Sequence, residues 1–241
     1  MQLDDTLAEA HAALGHAKLF YEWDMPGAGV EFQQAVRLNP SYATAHQWYA
    51  LYLTAQERHA EAIVQIQLAR EIDPLSLIIN THVGFVFYHA QRYDEAIAQC
   101  RRTLELDPNI ADAHYILGLA LGQQGKYDEA LAELQIAARL NEPISDVNAA
   151  LAYFYAVSGR RAESEKILTK FQQAAAQEDK VPAHYLAIIY TGLGDYDNAV
   201  TALQTAVKNH WYAMIYLRVD PIFDPLRSNR EYLELLSQMS H

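Results

Sequence analysis

The chain has 241 residues, of which 51% are hydrophobic, and 30 acidic residues against 18 basic ones give a formal net charge of −12. This balance argues against a nucleic-acid-binding surface, which requires clustered Lys and Arg, and the single cysteine, Cys100, excludes an intrachain disulfide. No apolar run approaches the length needed to cross a bilayer, so we expect no membrane insertion.

In chain order, the first strong signal is a repeat with a period of 34 residues. Small residues lie at one position of almost every repeat: Ala28, Ala62, Ala96, Ala130, Ser164 and, after 35 residues, Ala199. Proline recurs at Pro40, Pro74 and Pro108, where it stops one helix and precedes the next. Between these breakers the apolar residues recur at helical spacing, and strand-like alternation is absent. Each repeat therefore predicts two helices joined by a short turn.

Local signals predict how these helices begin and pack. Acidic residues near the start of three second helices are expected to act as N-caps: Asp94, Asp128 and Asp197. Cys100 falls on a predicted buried helix face and is interpreted as structural. The fifth repeat carries Ser164 and Phe171 at two positions of the helix contact where small residues are usual, so we expect its packing on the sixth repeat to be looser or shifted.

The repeat pattern ends near Lys208, and the last part of the chain contains two Asp-Pro steps that break helices. We expect a short helix near Trp211–Arg218, a turn-rich link and a final amphipathic helix from about Arg230. The apolar face of that helix is predicted to be Tyr232, Leu233, Leu236 and Met239. Because a stack of repeats leaves its last apolar face uncovered, a terminal helix there is interpreted as a cap.

The combination of period, small residues, glycines and prolines resembles the tetratricopeptide repeat, a helix–turn–helix unit of 34 residues. The resemblance implies an all-α, right-handed α-solenoid of about six repeats with a C-terminal capping helix. It covers residues 6–208, with repeats near 8–42, 43–76, 77–110, 111–144, 145–179 and 180–208, followed by a capping segment at 209–241.

Three stretches, "VDPIFDPLRS", "YATAHQWYALYL" and "YAVSGRRAE", resemble the C-terminal repeat region of bacterial multidomain signalling proteins. In that group, a winged-helix, adenylate cyclase or Ser/Thr kinase domain often precedes the repeats. The resemblance implies a segment of a longer protein with an N-terminal effector domain, and none of those domains is visible in these residues.

The family resemblance also implies a concave groove lined by the first helix of each repeat. Applied to this chain, the inward positions are Gln47, Leu51, Thr54, Ile78, Thr81, Phe85, Tyr88, His89, Tyr115, Leu119, Gln123, Tyr153, Val157, His184 and Ile188. This set is apolar and aromatic with scattered hydrogen-bonding groups, which suits a peptide or helix ligand. The alternative is that some of these residues, Phe85 and Leu119 especially, close the core of a tight superhelix.

Motifs for catalysis, cofactors and metals are missing. No phosphate-binding loop, G-x-S-x-G or HExxH pattern occurs. His11, His46 and His114 occupy one repeat position, which favours packing over metal binding, and His82 and His89 have no acid or Cys at ligand spacing. We therefore expect no enzyme activity, no cofactor and no metal.

These observations predict a non-catalytic scaffold that binds a protein or peptide in its groove, as the regulatory or sensory arm of a bacterial signalling or transcriptional-regulator protein. Two alternatives stay open: a scaffold for homodimerisation, and a sensor that holds a small ligand or signal peptide in the groove. We expect a cytoplasmic location, or a periplasmic one if the full-length protein has an upstream transmembrane segment.

Overall fold

The computed structural model describes residues 7–143, 145–177 and 181–239, which contain helices and no strand. The α-helices are α1 (Ala8–Ala17), α2 (Met25–Leu38), α3 (Ala43–Ala55), α4 (His59–Ile72), α5 (Leu77–His89), α6 (Tyr93–Leu106), α7 (Ala111–Gln123), α8 (Tyr127–Arg139), α9 (Asp146–Val157), α10 (Arg161–Gln177), α11 (Ala183–Leu193), α12 (Tyr196–Lys208) and α13 (Arg230–Gln238). A π-helical turn, Lys18–Glu22, continues α1, and two 3-10 helices, Tyr212–Tyr216 and Pro221–Leu226, precede α13.

The helices belong to two compact units, an N-terminal unit (Met1–Asp107) and a C-terminal unit (Pro108–His241). In the N-terminal unit, α1 to α6 form three antiparallel hairpins that stack in chain order. In the C-terminal unit, α7 to α12 form three more hairpins, which the segment from Trp211 onward follows. The prediction of an all-α fold built from solenoid-type hairpins is therefore confirmed.

Small side chains explain why the two helices of a hairpin pack closely. The repeated alanines of the second helices are fully buried, and so is Cys100 on α6. At Gly118 on α7, a Cβ atom would lie 2.6 Å from Leu134 Cγ and 3.1 Å from the carbonyl oxygen of Ala130 on α8. Larger residues at these positions would separate the helices, so the 34-residue series of small residues determines the hairpin geometry.

The reversal inside each repeat requires one residue with left-handed backbone conformation. In the last three repeats it is glycine: Gly125, Gly159 and Gly194, with φ between +74° and +83°. In the first three repeats the same position holds Trp23, Glu57 and Gln91, with φ between +57° and +60°. The turn is thus retained without glycine, at the cost of a conformation that L-residues adopt reluctantly.

The N-cap prediction was wrong for Asp94, Asp128 and Asp197. Their helices begin one residue earlier, so each aspartate is the second helical residue. At this position the negative charge of the carboxylate interacts favourably with the positive N-terminal end of the helix dipole. The residue that caps α12 is Asp195, whose carboxylate accepts from the backbone N–H of Asn198.

Packing between the fifth and sixth repeats is shifted. Of the two helices of the fifth repeat, α9 makes the larger contact with α11 and α10 makes the smaller one. Phe171 on α10 is buried, and its ring lies 6.0 Å from that of Tyr185 on α11. Gly192 permits the contact with α9, because a Cβ atom there would lie 2.7 Å from Tyr153 Cα.

The C-terminal segment differs from the predicted helix near Trp211–Arg218, because only Tyr212–Tyr216 is helical there and it forms a 3-10 helix. The final helix is present, and Tyr232 donates a hydrogen bond to the carbonyl oxygen of Leu217 at 2.9 Å. The prediction that Leu233 faces the core was wrong, since it is 49% exposed and Leu235 is buried in its place. The helical period from Tyr232 favours residues 235 and 236 over 233.

No helix among the described residues has both the length and the apolar character required to span a bilayer.

We predict that Ala130→Leu destabilises the chain by about 1–3 kcal/mol, because the added side chain has no space between α7 and α8. Urea unfolding measures the change. Ala132→Leu on the same helix is the matched control, since Ala132 is exposed and its substitution should be nearly neutral. Equal stability of both variants would contradict this account of the hairpin contact.

We predict that Gly192→Ala also destabilises, by about 1–3 kcal/mol, because its Cβ would meet the backbone of Tyr153. A glycine-to-alanine substitution inside a helix ordinarily stabilises the folded chain by about 0.5–1 kcal/mol. A loss of stability at this position would therefore indicate a steric clash of the new Cβ atom. A Gly192→Ala chain that unfolds at higher urea than the parent would rule out the close approach of α9 and α11.

Candidate functional site

The predicted groove residues lie on the first helices of the repeats, α3, α5, α7, α9 and α11. Ten of them are buried: Gln47, Leu51, Thr54, Thr81, Tyr88, His89, Leu119, Tyr153, His184 and Ile188. Five retain accessible surface: Ile78, Phe85, Tyr115, Gln123 and Val157. Only the accessible members have surface that a partner could contact directly.

Several buried polar members are satisfied by their own helix. Thr54 Oγ1 donates to the carbonyl oxygen of Ala50 at 2.9 Å, and Thr81 Oγ1 donates to that of Leu77 at 2.8 Å. Both hydroxyl groups are therefore buried with their hydrogen bonds formed, and their burial carries no cost from a missing partner.

In the N-terminal unit, the accessible residues form one face of α5. Ile78, His82 and Phe85 are spaced at one and two helical turns and share that side of the helix. Ile78 is 61% exposed, and His82 and Phe85 are half-buried with ring centroids 6.1 Å apart. Gln47 on α3 is hydrogen-bonded to His82 Nδ1 at 2.6 Å, which fixes the ring. We call Ile78, His82 and Phe85 the α5 face.

A repeated histidine position has a structural role. His46 Nε2 lies 3.0 Å from the carbonyl oxygen of Pro40, and His114 Nε2 lies 3.0 Å from that of Pro108. The other ring nitrogen of each contacts the following helix of the same repeat, at Gln65 Oε1 or Glu133 Oε2.

Asparagine takes over this role in the repeats between and after. Asn80 Nδ2 donates to the carbonyl oxygen of Pro74 at 2.9 Å, and Asn148 Nδ2 donates to that of Glu142 at 3.3 Å. We call this interaction, from the third or fourth residue of a first helix to the carbonyl oxygen six residues earlier, the carbonyl clasp. It supports the packing interpretation of His46 and His114. The asparagines were missed because they do not resemble histidine in a repeat alignment.

Two other histidines are buried and uncharged. Burial lowers the pKa of His89 to about 4, although the carbonyl oxygen of Phe85 partly opposes this effect. Burial lowers the pKa of His184 to about 3. Among the described residues, no group of three or more His, Cys, Asp or Glu side chains is arranged to hold a metal ion.

In the C-terminal unit, the segment after α12 packs against first-helix residues. The Trp211 ring lies 5.9 Å from that of His184 and 6.0 Å from that of Tyr185, and the 3-10 helix Pro221–Leu226 packs on α11. Burial and the charge of Asp220 both raise the pKa of Tyr153 on α9. The segment therefore extends beyond the end of the last hairpin, toward residues that sequence reasoning assigned to an open groove.

We predict that mild acid destabilises the chain through His89 and His184. Since folding depresses their pKa, the unfolded chain takes up protons near its ordinary pKa of about 6.5 and the folded chain does not. Stability is complete above that value and is lost as the pH falls toward the folded-state pKa. By about pH 5 each histidine removes about 2 kcal/mol, which urea unfolding at neutral and acid pH measures.

The variant His184→Gln should lose about 2 kcal/mol less than the parent over this interval. The variant His210→Asn, at an exposed residue, is the control for the removal of one histidine. A His184→Gln chain with the parental pH dependence would contradict a neutral, buried His184.

Sequence comparison identifies the repeats directly. A family profile described as tetratricopeptide repeat matches residues 31–76, 86–143 and 116–179, and a second profile with the same description matches residues 184–210. A search of curated proteins gave no match.

Solved structures of tetratricopeptide repeat proteins and related factors resemble the chain. PilW, described as a widely conserved type IV pilus biogenesis factor, has a TM-score of 0.65 at 20% identity, covering 88% of this chain and 97% of PilW. TTC0263, a thermophilic TPR protein of Thermus thermophilus, has a TM-score of 0.63 at 21% identity, covering 83% and 99%. YrrB, described as a TPR protein with an unusual peptide-binding site, has a TM-score of 0.50 at 18% identity, covering 83% and 94%.

At these identities the likeness to solved structures shows a shared fold and nothing further. The family profiles carry the assignment, because they match more than half of the chain. The chain therefore belongs to the tetratricopeptide repeat family.

Proposed function

We propose that the chain is a non-catalytic scaffold that binds a protein or peptide segment along the first helices of its repeats. The general role as an interaction scaffold follows from the family. The observation that carries the finer proposal is the α5 face, an accessible apolar and aromatic surface on otherwise buried helices.

The α5 face has the composition of a peptide-binding surface. Ile78 and Phe85 offer apolar area, and His82 between them is already held by Gln47. A partner that buries such side chains gains the hydrophobic contribution without the cost of ordering them, because the surface exists before binding. A helical or extended segment with one apolar side would fit this chemistry.

The accessible first-helix residues of the C-terminal unit add polar recognition. Gln123, which ends α7, is half-buried, and the accessible part of its side chain offers hydrogen-bonding capacity to a bound peptide. Val157, which ends α9, is exposed and would supply an apolar contact.

A regulatory role rests on the resemblance of the C-terminal stretches to bacterial multidomain signalling proteins. In this proposal the scaffold is the sensory arm of a longer chain, and its partner changes the output of an N-terminal effector domain. The expected compartment is the cytoplasm, with the periplasm as the alternative. The descriptions of PilW as a pilus biogenesis factor and of YrrB as a peptide-binding protein are compatible with recognition of protein segments by this fold.

A random-peptide display library tests the proposal and does not require the natural partner. Peptides selected on the intact chain should bind about tenfold more weakly or worse to the double variant Ile78→Ala/Phe85→Ala, because truncating an interface anchor typically costs more than about 1 kcal/mol. Fluorescence anisotropy of labelled peptides measures the dissociation constants.

The control variant Val30→Ala/Val64→Ala removes exposed apolar side chains from the second helices α2 and α4, and it should bind the peptides like the parent. Equal losses in both variants, or a selection that yields no binding peptide, would contradict the proposal. Light scattering on the unliganded chain separates it from the alternative of a homodimerisation scaffold, which requires a dimer in the absence of peptide.

A further inference from the structure

Four side chains in the N-terminal unit form what we call the N-terminal ring cluster: His16, Phe20, Tyr21 and Trp48. His16 lies in the last turn of α1, Phe20 and Tyr21 lie on the π-helical turn that continues it, and Trp48 lies on α3. The His16 ring is central, because its centroid lies 4.6 Å from that of Phe20, 4.7 Å from that of Trp48 and 6.4 Å from that of Tyr21. Direct ring contacts thus join three elements in one surface.

The π-helical turn brings an additional ring beside His16. Its backbone hydrogen bond spans five residues instead of four, and Tyr21 is the fifth residue after His16. The turn accommodates an irregularity of the repeat, since Gly15 and Ala28 are one residue farther apart than the equivalent residues of the second repeat. Turns of this kind are rare and are often found at functional sites.

The cluster is accessible and is held in place from below. Tyr21 is 76% exposed, and the other three rings are half-buried. Trp48 packs against buried alanines of α1, α2 and α3, and the fully buried Leu19 anchors the π-helical turn. A partner therefore meets a surface that exists before binding, which keeps the entropic cost of ordering it small.

The helices around the cluster carry little charge. Helices α3 and α5 contain no Asp, Glu, Lys or Arg, and α1 contains only Glu9 in its first turn. The second helices α2, α4 and α6 of the same unit contain ten such residues. Burial lowers the pKa of His16, which favours its neutral form. A charged group of a partner would lose hydration at this surface without gaining an opposite charge.

The charged residues of the π-helical turn leave this conclusion unchanged. Lys18 Nζ donates to Glu31 Oε1 at 2.8 Å, and the other carboxylate oxygen of Glu31 lies 2.7 Å from His11 Nδ1. Lys18 and Glu31 therefore neutralise each other. Glu22 is exposed at the end of the turn, where its charge repels an anionic group.

The N-terminal ring cluster and the α5 face lie on opposite sides of α3. Trp48 on α3 contacts His16 of α1, whereas its neighbour Gln47 is hydrogen-bonded to His82 of the α5 face. A segment that crosses α3 can therefore contact both surfaces. Two contacts on one segment strengthen its binding, because the second contact forms at a high effective concentration.

We propose that the N-terminal ring cluster is an anchor site for an uncharged aromatic side chain of the partner segment. Its rings offer faces and edges on which another ring packs in an offset or edge-to-face arrangement. Tyr21 supplies the most accessible of these rings. The assignment to a partner segment rests on the proposed function, whereas the preference for an aromatic side chain rests on the cluster alone.

Free probes test this preference on the intact chain without a natural partner. N-acetyl-tryptophan amide is titrated into the chain, with N-acetyl-leucine amide as the aliphatic control and N-acetyl-arginine amide as the cationic control. Chemical shifts of the Trp48 indole N–H and of the backbone amides of His16 and Tyr21 report binding. The tryptophan probe should shift these signals at millimolar concentration, and the other two should bind about threefold more weakly or worse.

The variant Tyr21→Ala should weaken binding of the tryptophan probe by about threefold or more, and Tyr21→Phe, which keeps the ring, should bind it like the parent. Tyr196→Ala is the matched control, because it removes an exposed tyrosine from the C-terminal unit. Its affinity for the probe should equal that of the parent. Circular dichroism checks that each variant is folded.

Several outcomes would overturn the anchor site. The first is a leucine or arginine probe that binds as tightly as the tryptophan probe, since the cluster would then select general apolar contact or a cation. The second is the absence of any shift with the tryptophan probe. The third is an affinity of Tyr21→Ala for that probe that equals the affinity of Tyr196→Ala.

The peptide selection separates the anchor site from the proposed function. Selected peptides should contain an aromatic residue whose replacement by Ala weakens binding to the parent but not to Tyr21→Ala. If the tryptophan probe binds as expected and the library yields no binding peptide, the ring site stands, and its assignment to a partner segment fails together with the proposed function. If peptides bind through the α5 face and Tyr21→Ala leaves their affinity unchanged, the proposed function stands and the assignment is overturned.

Discussion

The structure depends on the close approach of two helices at a buried series of small side chains. A hairpin of two helices of this size cannot enclose its own apolar side, so each hairpin is stable only against its neighbours. Small residues such as Ala130 and Gly118 bring the backbones near enough for larger side chains to fill the remaining space. The candidate site follows from this constraint, because the same first helices that form the core also carry the α5 face.

Periodic features of the fold could be predicted from the sequence. The 34-residue series identified the hairpins, and the burial of Cys100 followed from helical spacing. The roles of single residues were harder to predict from the sequence, because a shift of one position along a helix changes the role of a residue. Asp94 lies one position inside its helix and Leu233 faces solvent, although both fit the composition expected of a cap or an apolar face.

Prediction of the site was limited by contacts that are distant in sequence. The inward positions follow from the position of each residue within its own repeat. The repeat pattern therefore cannot predict which of them the segment after α12 contacts. In the C-terminal unit this segment places Trp211 against His184, and Asp220 close enough to act on Tyr153. Non-repeating residues therefore modify a surface that the repeats alone would leave regular. Where the repeat continues undisturbed, as on α5, the accessible residues Ile78 and Phe85 lie at predicted positions.

The carbonyl clasp bears on how such a chain can change length. His46, Asn80, His114 and Asn148 each contact the carbonyl oxygen six residues earlier. At these four junctions, a donor on one repeat therefore meets an acceptor at the end of the repeat before it. Duplication or deletion of one whole repeat would again place an acceptor six residues before a donor, so no backbone oxygen would lose its partner at the new junction. Gene rearrangements in multiples of the period are thereby tolerated chemically, whereas an insertion that separates the two groups is not.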